Sequence, residues 1–478
     1  MTIVLPFILF LLNGFTSIII TNKRVLSALF IATSFTALIF GFLEIWNAGH
    51  EVSYIFGGFA REIGIEYLLN PFKSFILNFI LGIVFIFSIF FHGFIRNFNK
   101  TFNFNLLFCI IQIMCGALVA IVLTNDLFNF YIFFELLAIC TYILISLGGK
   151  GSSFASFNYL SLGVIASGFL VIGIGFLYFS TGYLNFTKVI EALQSQSTLN
   201  IKIPLIFFSI CFLIKLGIFP FSFWVGLVYK HFPSSVLPLY SGVVALVTFF
   251  GFFTFLSKFF STELIFLKDV ILTLCILGVL VFSLFSLYET NLKKIFAYST
   301  ISQISYSLFP IFFGIEELTR SAFLHIISNV VSKSALFIIL YEVTKSKTPV
   351  IHNLNDLAKK SQFATTFLIF FLASIVGVPI TLGFFTKISI IFGLIKANSY
   401  LFVFIMLLGA LLNFLYFWRV ANVMFFKSKQ DEDEDKITIS IESKIAILLL
   451  FFTSIILVLY FGDISNFLDN SLRQFYQL

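Results

Sequence analysis

The stretch NDLFNFYIFFELLAICTYILI, residues 125–145, is apolar over enough length to cross the roughly 30 Å hydrocarbon core of a bilayer as a helix, yet it carries one carboxylate, Glu135, near its middle. An acid at the bilayer centre costs at least about 2.5–3.5 kcal/mol on the insertion scale, so it requires a partner or a water-filled cavity. Both properties, the apolar run and its single charge, recur along the chain.

Of 478 residues, 60% are hydrophobic and 11% charged, against about a quarter charged in soluble domains. At about 20 residues per crossing, fourteen spans follow, near 3–20, 26–46, 74–95, 104–123, 127–147, 155–179, 203–226, 235–257, 268–288, 295–315, 320–344, 363–395, 400–425 and 444–465. The expected fold is therefore all-α and polytopic in a membrane. The 72 phenylalanines suit a lipid-facing surface as leucine would. The opening MTIVLPFILFLLNGFTSIII lacks a basic segment ahead of its apolar run and reads as a retained first span.

The net charge of +7 does not point to nucleic acid, because the basic residues are scattered over short connections. They report topology instead. Lys23, Arg24, Arg96, Lys100, Lys293, Lys294, Lys359 and Lys360 belong to connections after odd-numbered spans, where basic residues are in excess; that side is read as cytoplasmic, with both termini on the other side of a cell inner membrane. The mixed run KSKQDEDEDK, 427–436, reads as a solvated linker. The five cysteines, Cys109, Cys115, Cys140, Cys211 and Cys275, lie inside apolar segments without CxxC spacing, which supports neither disulfides nor a metal centre.

Besides Glu135, ionisable groups lie deep within spans at Lys215 in CFLIKLGIFPF, His325 and Lys333 in FLHIISNVVSKSALF, and Lys387 in GFFTKISIIFG. A single membrane lysine can snorkel, and a buried ion pair can simply hold helices together. Lining one hydrophilic path accounts for all of these groups at once. Pro220 follows Lys215 closely, and Gly377 and Pro379 precede Lys387, so spans seven and twelve are expected to break where the charge lies. Broken helices in corresponding halves point to a transport site between inverted repeats, here spans four to eight and nine to thirteen. The expected divisions are 1–103 (three helices), 104–257 and 258–425 (five-helix repeats), and 426–478 (charged loop and last helix). His325, Asn329 and Lys333 share one helix face, which suits either a proton path or a packed histidine. No nucleotide fingerprint, haem-ligand pair or catalytic set is present, so no cofactor and no catalytic chemistry are expected of this chain.

Five ordered motifs, NDLFNFYIFFELLAICTYILISLGG, KLGIFPFSFW with YKHFPSSVLPLYSG, LKKIFAYSTISQISY, FLHIISNVVSKSALF and GVPITLGFFTK, resemble the antiporter-like membrane subunits shared by respiratory complex I and Mrp-type cation/proton antiporters. The resemblance covers about residues 55–425. The D-type Mrp subunit looks nearest, through GGFAREIGIEY, DLFNFYIFFE and Tyr229, His231 and Pro233, with the N-type and M-type subunits of complex I next. It implies a fourteen-helix bundle in a hetero-oligomer with sister membrane subunits, moving protons and, in an antiporter, exchanging Na+. Glu135 would modulate Lys215, the central proton carrier; His325 and Lys333 would lie on the axis, and Lys387 would lead to a second half-channel. The sequence departs from the family pattern at Leu246, Asn158, Asn329 and Asn70, where charged or more polar residues are usual. Three functions stay open: a subunit of a Na+/proton antiporter, a proton-pumping subunit of an NADH:quinone oxidoreductase or related redox complex, and a structural subunit that has lost conduction.

Overall fold

In lipid every backbone N–H and C=O must be satisfied within the protein, which makes helices of apolar runs and requires that any chain break be buried. The computed structural model describes residues 2–47, 51–61, 64–97, 104–193, 199–259, 265–345, 349–425 and 436–477; all of the charged run 427–436 except Lys436 lies outside them. In chain order the elements are α1 (Leu5–Ile19), α2 (Lys23–Asn47), β1 (Val52–Ile55), β2 (Glu66–Leu69), α3 (Pro71–Asn97), α4 (Phe104–Leu123), α5 (Leu127–Ser146), α6 (Ser152–Thr181), α7 (Phe186–Leu193), α8 (Leu199–Leu216) and α9 (Phe223–His231). There follow α10 (Leu237–Leu239), α11 (Ala245–Phe259), α12 (Ile265–Tyr288), α13 (Leu292–Leu308), α14 (Glu316–Thr344), α15 (Leu357–Lys360), α16 (Gln362–Val376), α17 (Leu382–Lys396), α18 (Tyr400–Phe425), α19 (Ile441–Leu459) and α20 (Phe461–Gln477). Among the described residues, eleven helical segments are long and apolar enough to cross a membrane. The chain is a multi-pass, helical membrane protein.

Three features depart from the reading of the sequence. The span placed at 444–465 ends at Leu459, and a separate amphipathic helix, α20, carries on from Phe461. Its apolar residues Leu468, Leu472 and Phe475 are buried, while Asp469 and Arg473 form ion pairs at its polar edge. The loop before α3 holds an antiparallel hairpin, Val52 opposite Leu69, so among the described residues the fold is all-α but for this ribbon. The short helix α7 has no counterpart among the expected spans. Each is too short or too amphipathic to register in a search for apolar spans.

Two helix starts are built alike. Asp126 caps α5 by accepting from Asn129 N at 2.7 Å, and Asn291 caps α13 by accepting from Lys293 N at 3.1 Å. Each cap lies in a short two-stranded contact with the chain beyond the next long helix. Leu127 N donates to Leu184 O and Phe186 N to Asn125 O, both at 2.9 Å; Leu292 N donates to Pro349 O at 2.8 Å and Ile351 N to Thr290 O at 2.9 Å. The interval between corresponding residues is the same in every case.

Two helix interruptions also match. After α8, Gly217 takes φ 66° and Ile218 N reaches Leu213 O at 3.0 Å; after α16, Gly377 takes φ 93° and Val378 N reaches Ala373 O at 3.0 Å. Pro220 lies in the first connection and Pro379 in the second.

At the centre stands α14, buried without a gap from Ser321 to Leu340, against α13, α16, α17, α19 and α20. Its start is held by the contacts of Arg320 with Asp469 and of Glu316 with Arg473 (2.7 Å), both reaching α20. Near its end, buried Glu342 accepts from Ser440, the cap of α19, at 2.6 Å, and from Ser443. Leu401, Phe404 and Trp418 on α18 and Phe154, Phe157 and Phe179 on α6 are exposed on the outside of the bundle.

Removing either cap strands backbone donors at a buried joint. Asp126→Ala and Asn291→Ala are each expected to cost about 0.5–2 kcal/mol, read as a lower melting temperature of the detergent-solubilised protein.

Candidate functional site

The ammonium of Lys215, in the last turn of α8, lies 3.6 Å from Glu135 Oε1 on α5, with side-chain exposures of 4% and 21%. Two opposite charges this close, largely removed from solvent, stabilise one another, and loss of one would leave the other uncompensated. The Lys215 ammonium also sits 3.5 Å from the Tyr142 hydroxyl and 5.3 Å from the Phe134 ring. That hydroxyl rests against α6 where Gly163 provides no side chain: a Cβ there would lie 1.8 Å from it. Small residues at helix contacts permit this kind of approach.

Two cavities meet at Lys215. One of about 20 Å³ lies toward α5, between Phe134, Ala138 and Thr141. The other, of about 40 Å³, lies toward α13 and is edged by Tyr159, Tyr229, Tyr240, Thr248 and Thr300. Around Tyr240–Val244 the helix joining α10 to α11 widens by one π turn, a distortion frequent at functional sites. The wall between the cavities is braced by Tyr159 stacking on Trp224 at 4.2 Å, and Trp224 Nε1 donates to Ile214 O at 3.2 Å, closing the end of α8.

Lys333, on α14, donates to Phe296 O of α13 at 2.9 Å. One turn back, Asn329 is buried and neither side-chain polar atom has a hydrogen-bond partner among the described residues. A further turn back, His325 contacts Thr386 Oγ1 through Nδ1 at 2.9 Å and Gln303 Oε1 through Nε2 at 3.1 Å. Lys387, next to Thr386, reaches back across the second break and donates to Ile375 O at 2.7 Å and Val376 O at 3.0 Å. These carbonyls end α16 and have no partner within their own helix, and the helix dipole favours a cation there. Gly377 and Pro379 thus stand at a helix end capped by a lysine.

The structure accordingly brings Glu135 and Lys215 into contact, and places His325 beside the residue preceding Lys387. Lys333 meets a carbonyl of α13. Of the departures from the family pattern, Leu246 is fully buried and does not edge the 40 Å³ cavity, where Thr248 does. Asn158 is half-buried on α6 and donates to Phe154 O of its own helix at 2.9 Å. Asn70 accepts from Lys73 N at 2.8 Å, a capping bond at the start of α3.

Some buried polar groups escape a reading of the sequence. Lys293, which reads as a loop lysine, is buried and donates to Phe232 O at 2.7 Å. Glu66 in β2 is wholly buried; it accepts from Asn125 and Asn185, each at 2.8 Å, and pairs with Arg61 at 2.7 Å. The hydroxyls about the larger cavity carry no distinguishing spacing. For Lys293 a signal is present, since its neighbour Lys294 pairs with Glu289 at 3.1 Å and leaves Lys293 to face inward.

A helical membrane bundle with interrupted helices, a buried Glu–Lys pair and further buried lysines at Lys333 and Lys387 fits an ion-handling membrane protein. Residues 124–413 match the family described as NADH:quinone oxidoreductase/Mrp antiporter, TM, and the chain belongs to that family. The chain is 26% identical over 389 residues to the N-type subunit of the NADH-quinone oxidoreductase of Desulforudis audaxviator, covering 79% of this chain and 76% of the relative. It is 23% identical over 417 residues to the D-type subunit of the Na(+)/H(+) antiporter of Alkalihalophilus pseudofirmus, covering 86% and 83%. Its fold is similar to a chain of the membrane-bound sulfane sulfur reductase, an archaeal respiratory membrane complex, with TM-score 0.91 at 20% identity over 99% of this chain and 97% of that one.

The fit of Tyr142 to Gly163 can be tested directly. Gly163→Ala is expected to lower stability by about 1–3 kcal/mol through overpacking, and adding Tyr142→Phe to recover part of the loss, as read from melting of the single and double variants.

Proposed function

We propose that the chain is a proton-translocating membrane subunit of a redox-driven complex related to the N-type subunit of NADH:quinone oxidoreductase, working with sister membrane subunits. The contact between Glu135 and Lys215, opening on two cavities, carries this reading. A carboxylate beside a buried ammonium holds it charged, and withdrawal of the carboxylate leaves a desolvated lysine that gives up its proton. Lys333, His325 and Lys387 are the further stations, with Lys387 at the second half-channel.

Fourteen crossings follow if α8 with α9, α13, and α16 with α17 each span the bilayer beside the eleven long segments. The matched caps, strand contacts and breaks support two inverted repeats, 104–257 and 258–425. The basic connections support a cytoplasmic side that includes Lys23, Lys294 and Lys360, with both termini opposite. Similarity to the N-type oxidoreductase subunit favours redox coupling over the antiporter assignment. The antiporter reading keeps one observation of its own, the longer stretch shared with the D-type antiporter subunit.

The test is the intact complex, purified with its partners and reconstituted in proteoliposomes. Proton uptake driven by an electron donor supports the redox reading, and uptake driven only by a Na+ gradient supports the antiporter. In either case Lys215→Ala is expected to lower uptake at least about tenfold and Glu135→Gln to slow it, with assembly intact. Wild-type uptake by both variants at every pH would refute the ion-pair mechanism.

A further inference from the structure

Among the described residues, Lys215 is the one charged side chain on the cavity that lies between it and the next ionisable group inward, Lys333. What the cavity offers beyond Lys215 is hydroxyls. Its roughly 40 Å³ accommodates about two or three waters. Lys215 lines it together with Tyr159, Tyr229, Tyr240, Thr248 and, from α13, Thr300. Thr300 Oγ1 is bonded to Phe296 O at 2.8 Å, and Lys333 Nζ is bonded to that same oxygen at 2.9 Å. One carbonyl therefore gathers a hydroxyl of the cavity and the next ammonium of the axis.

We propose that this hydroxyl-bordered cavity, with Thr300 on its lining, is the proton-transfer site between Lys215 and Lys333, taking the place of an ionisable side chain on α11. The proposal rests on the translocation reading above. Lys215 Nζ releases one proton to a water in the cavity. Each water or hydroxyl along the way gains a proton on its oxygen as it gives up its own, so none keeps a charge. Thr300, once its hydroxyl turns off Phe296 O, passes that proton to neutral Lys333 while taking one from the adjoining water. One proton leaves Lys215 and one arrives at Lys333, and no bond other than O–H and N–H is made or broken.

The position of Leu246 fits this route. The residue is buried elsewhere in α11, while Val244, Ala245 and Thr248 of the same segment edge the cavity. The π turn at Tyr240–Val244 comes directly before Ala245 and Thr248 on that edge. Water threaded between hydroxyls can conduct where a fixed charge would have to be neutralised by a partner, and among the described residues no acid borders this cavity.

The test uses the intact complex in proteoliposomes. Thr300→Val keeps the shape but removes the hydroxyl and is expected to slow proton uptake at least about tenfold, whereas Thr300→Ser keeps the hydroxyl and should stay within about twofold of wild type. Ala245→Leu, which fills the cavity without touching a hydroxyl, should slow uptake as well. Loss in Thr300→Val without recovery in Thr300→Ser would assign the residue to packing and overturn the proposal. So would wild-type uptake in both Thr300→Val and Ala245→Leu while Lys215→Ala is inactive, and that result would leave the translocation reading standing. Wild-type uptake by Lys215→Ala itself would remove both.

Discussion

A charge or a free carbonyl inside a bilayer has to find its counterpart in the protein, and in this chain the two deficits cancel one another. Lys387 covers the carbonyls exposed where α16 stops, and Lys293 takes one beyond the end of α9, while Lys333 shares a carbonyl inside α13 with Thr300. A broken helix and a buried lysine would each be costly alone. Lys215 differs in kind, because the group beside it is a carboxylate. A peptide carbonyl is a dipole fixed by its helix, whereas a carboxylate bears full charge on a side chain that can swing. On this difference rests the proposed control of the Lys215 proton by Glu135.

The parts of the site legible in the sequence are those that cost most. Glu135, Lys215, His325, Lys333 and Lys387 stand out because an ionisable residue in an apolar run is rare and expensive, and glycine and proline beside two of them mark the breaks. The spans from α3 to α6 fall close to their observed limits for the same reason. Hydroxyl residues give no such signal. Thr300 and Tyr240 are ordinary in composition, and only folding sets them around the same cavity as Lys215. Glu66 is hidden differently: it lies in a short polar connection, where an acid is unremarkable until a hairpin buries it against Asn125 and Asn185. The helix α20 merges with the preceding span because its apolar residues continue the run.

Low identity with a closely similar fold, 20% at TM-score 0.91, indicates how few positions such a bundle prescribes. Apolar faces can exchange leucine, isoleucine and phenylalanine freely as long as volume is kept. Helix stops and caps cannot move without exposing backbone. Polar positions fall between: Asn70 serves as a cap and Asn158 bonds back to its own helix, while Asn329 is buried. A family position is therefore better judged by what surrounds it than by the residue occupying it.

The anchoring of α14 at both ends has a mechanical meaning. Ion pairs to α20 grip one end, and Glu342 beneath the cap of α19 grips the other, with packed helices along the whole length between. A rod pinned in this way does not slide or turn without breaking both clamps. Held from both ends, α14 works as a fixed rail that keeps His325, Asn329 and Lys333 one helical turn apart.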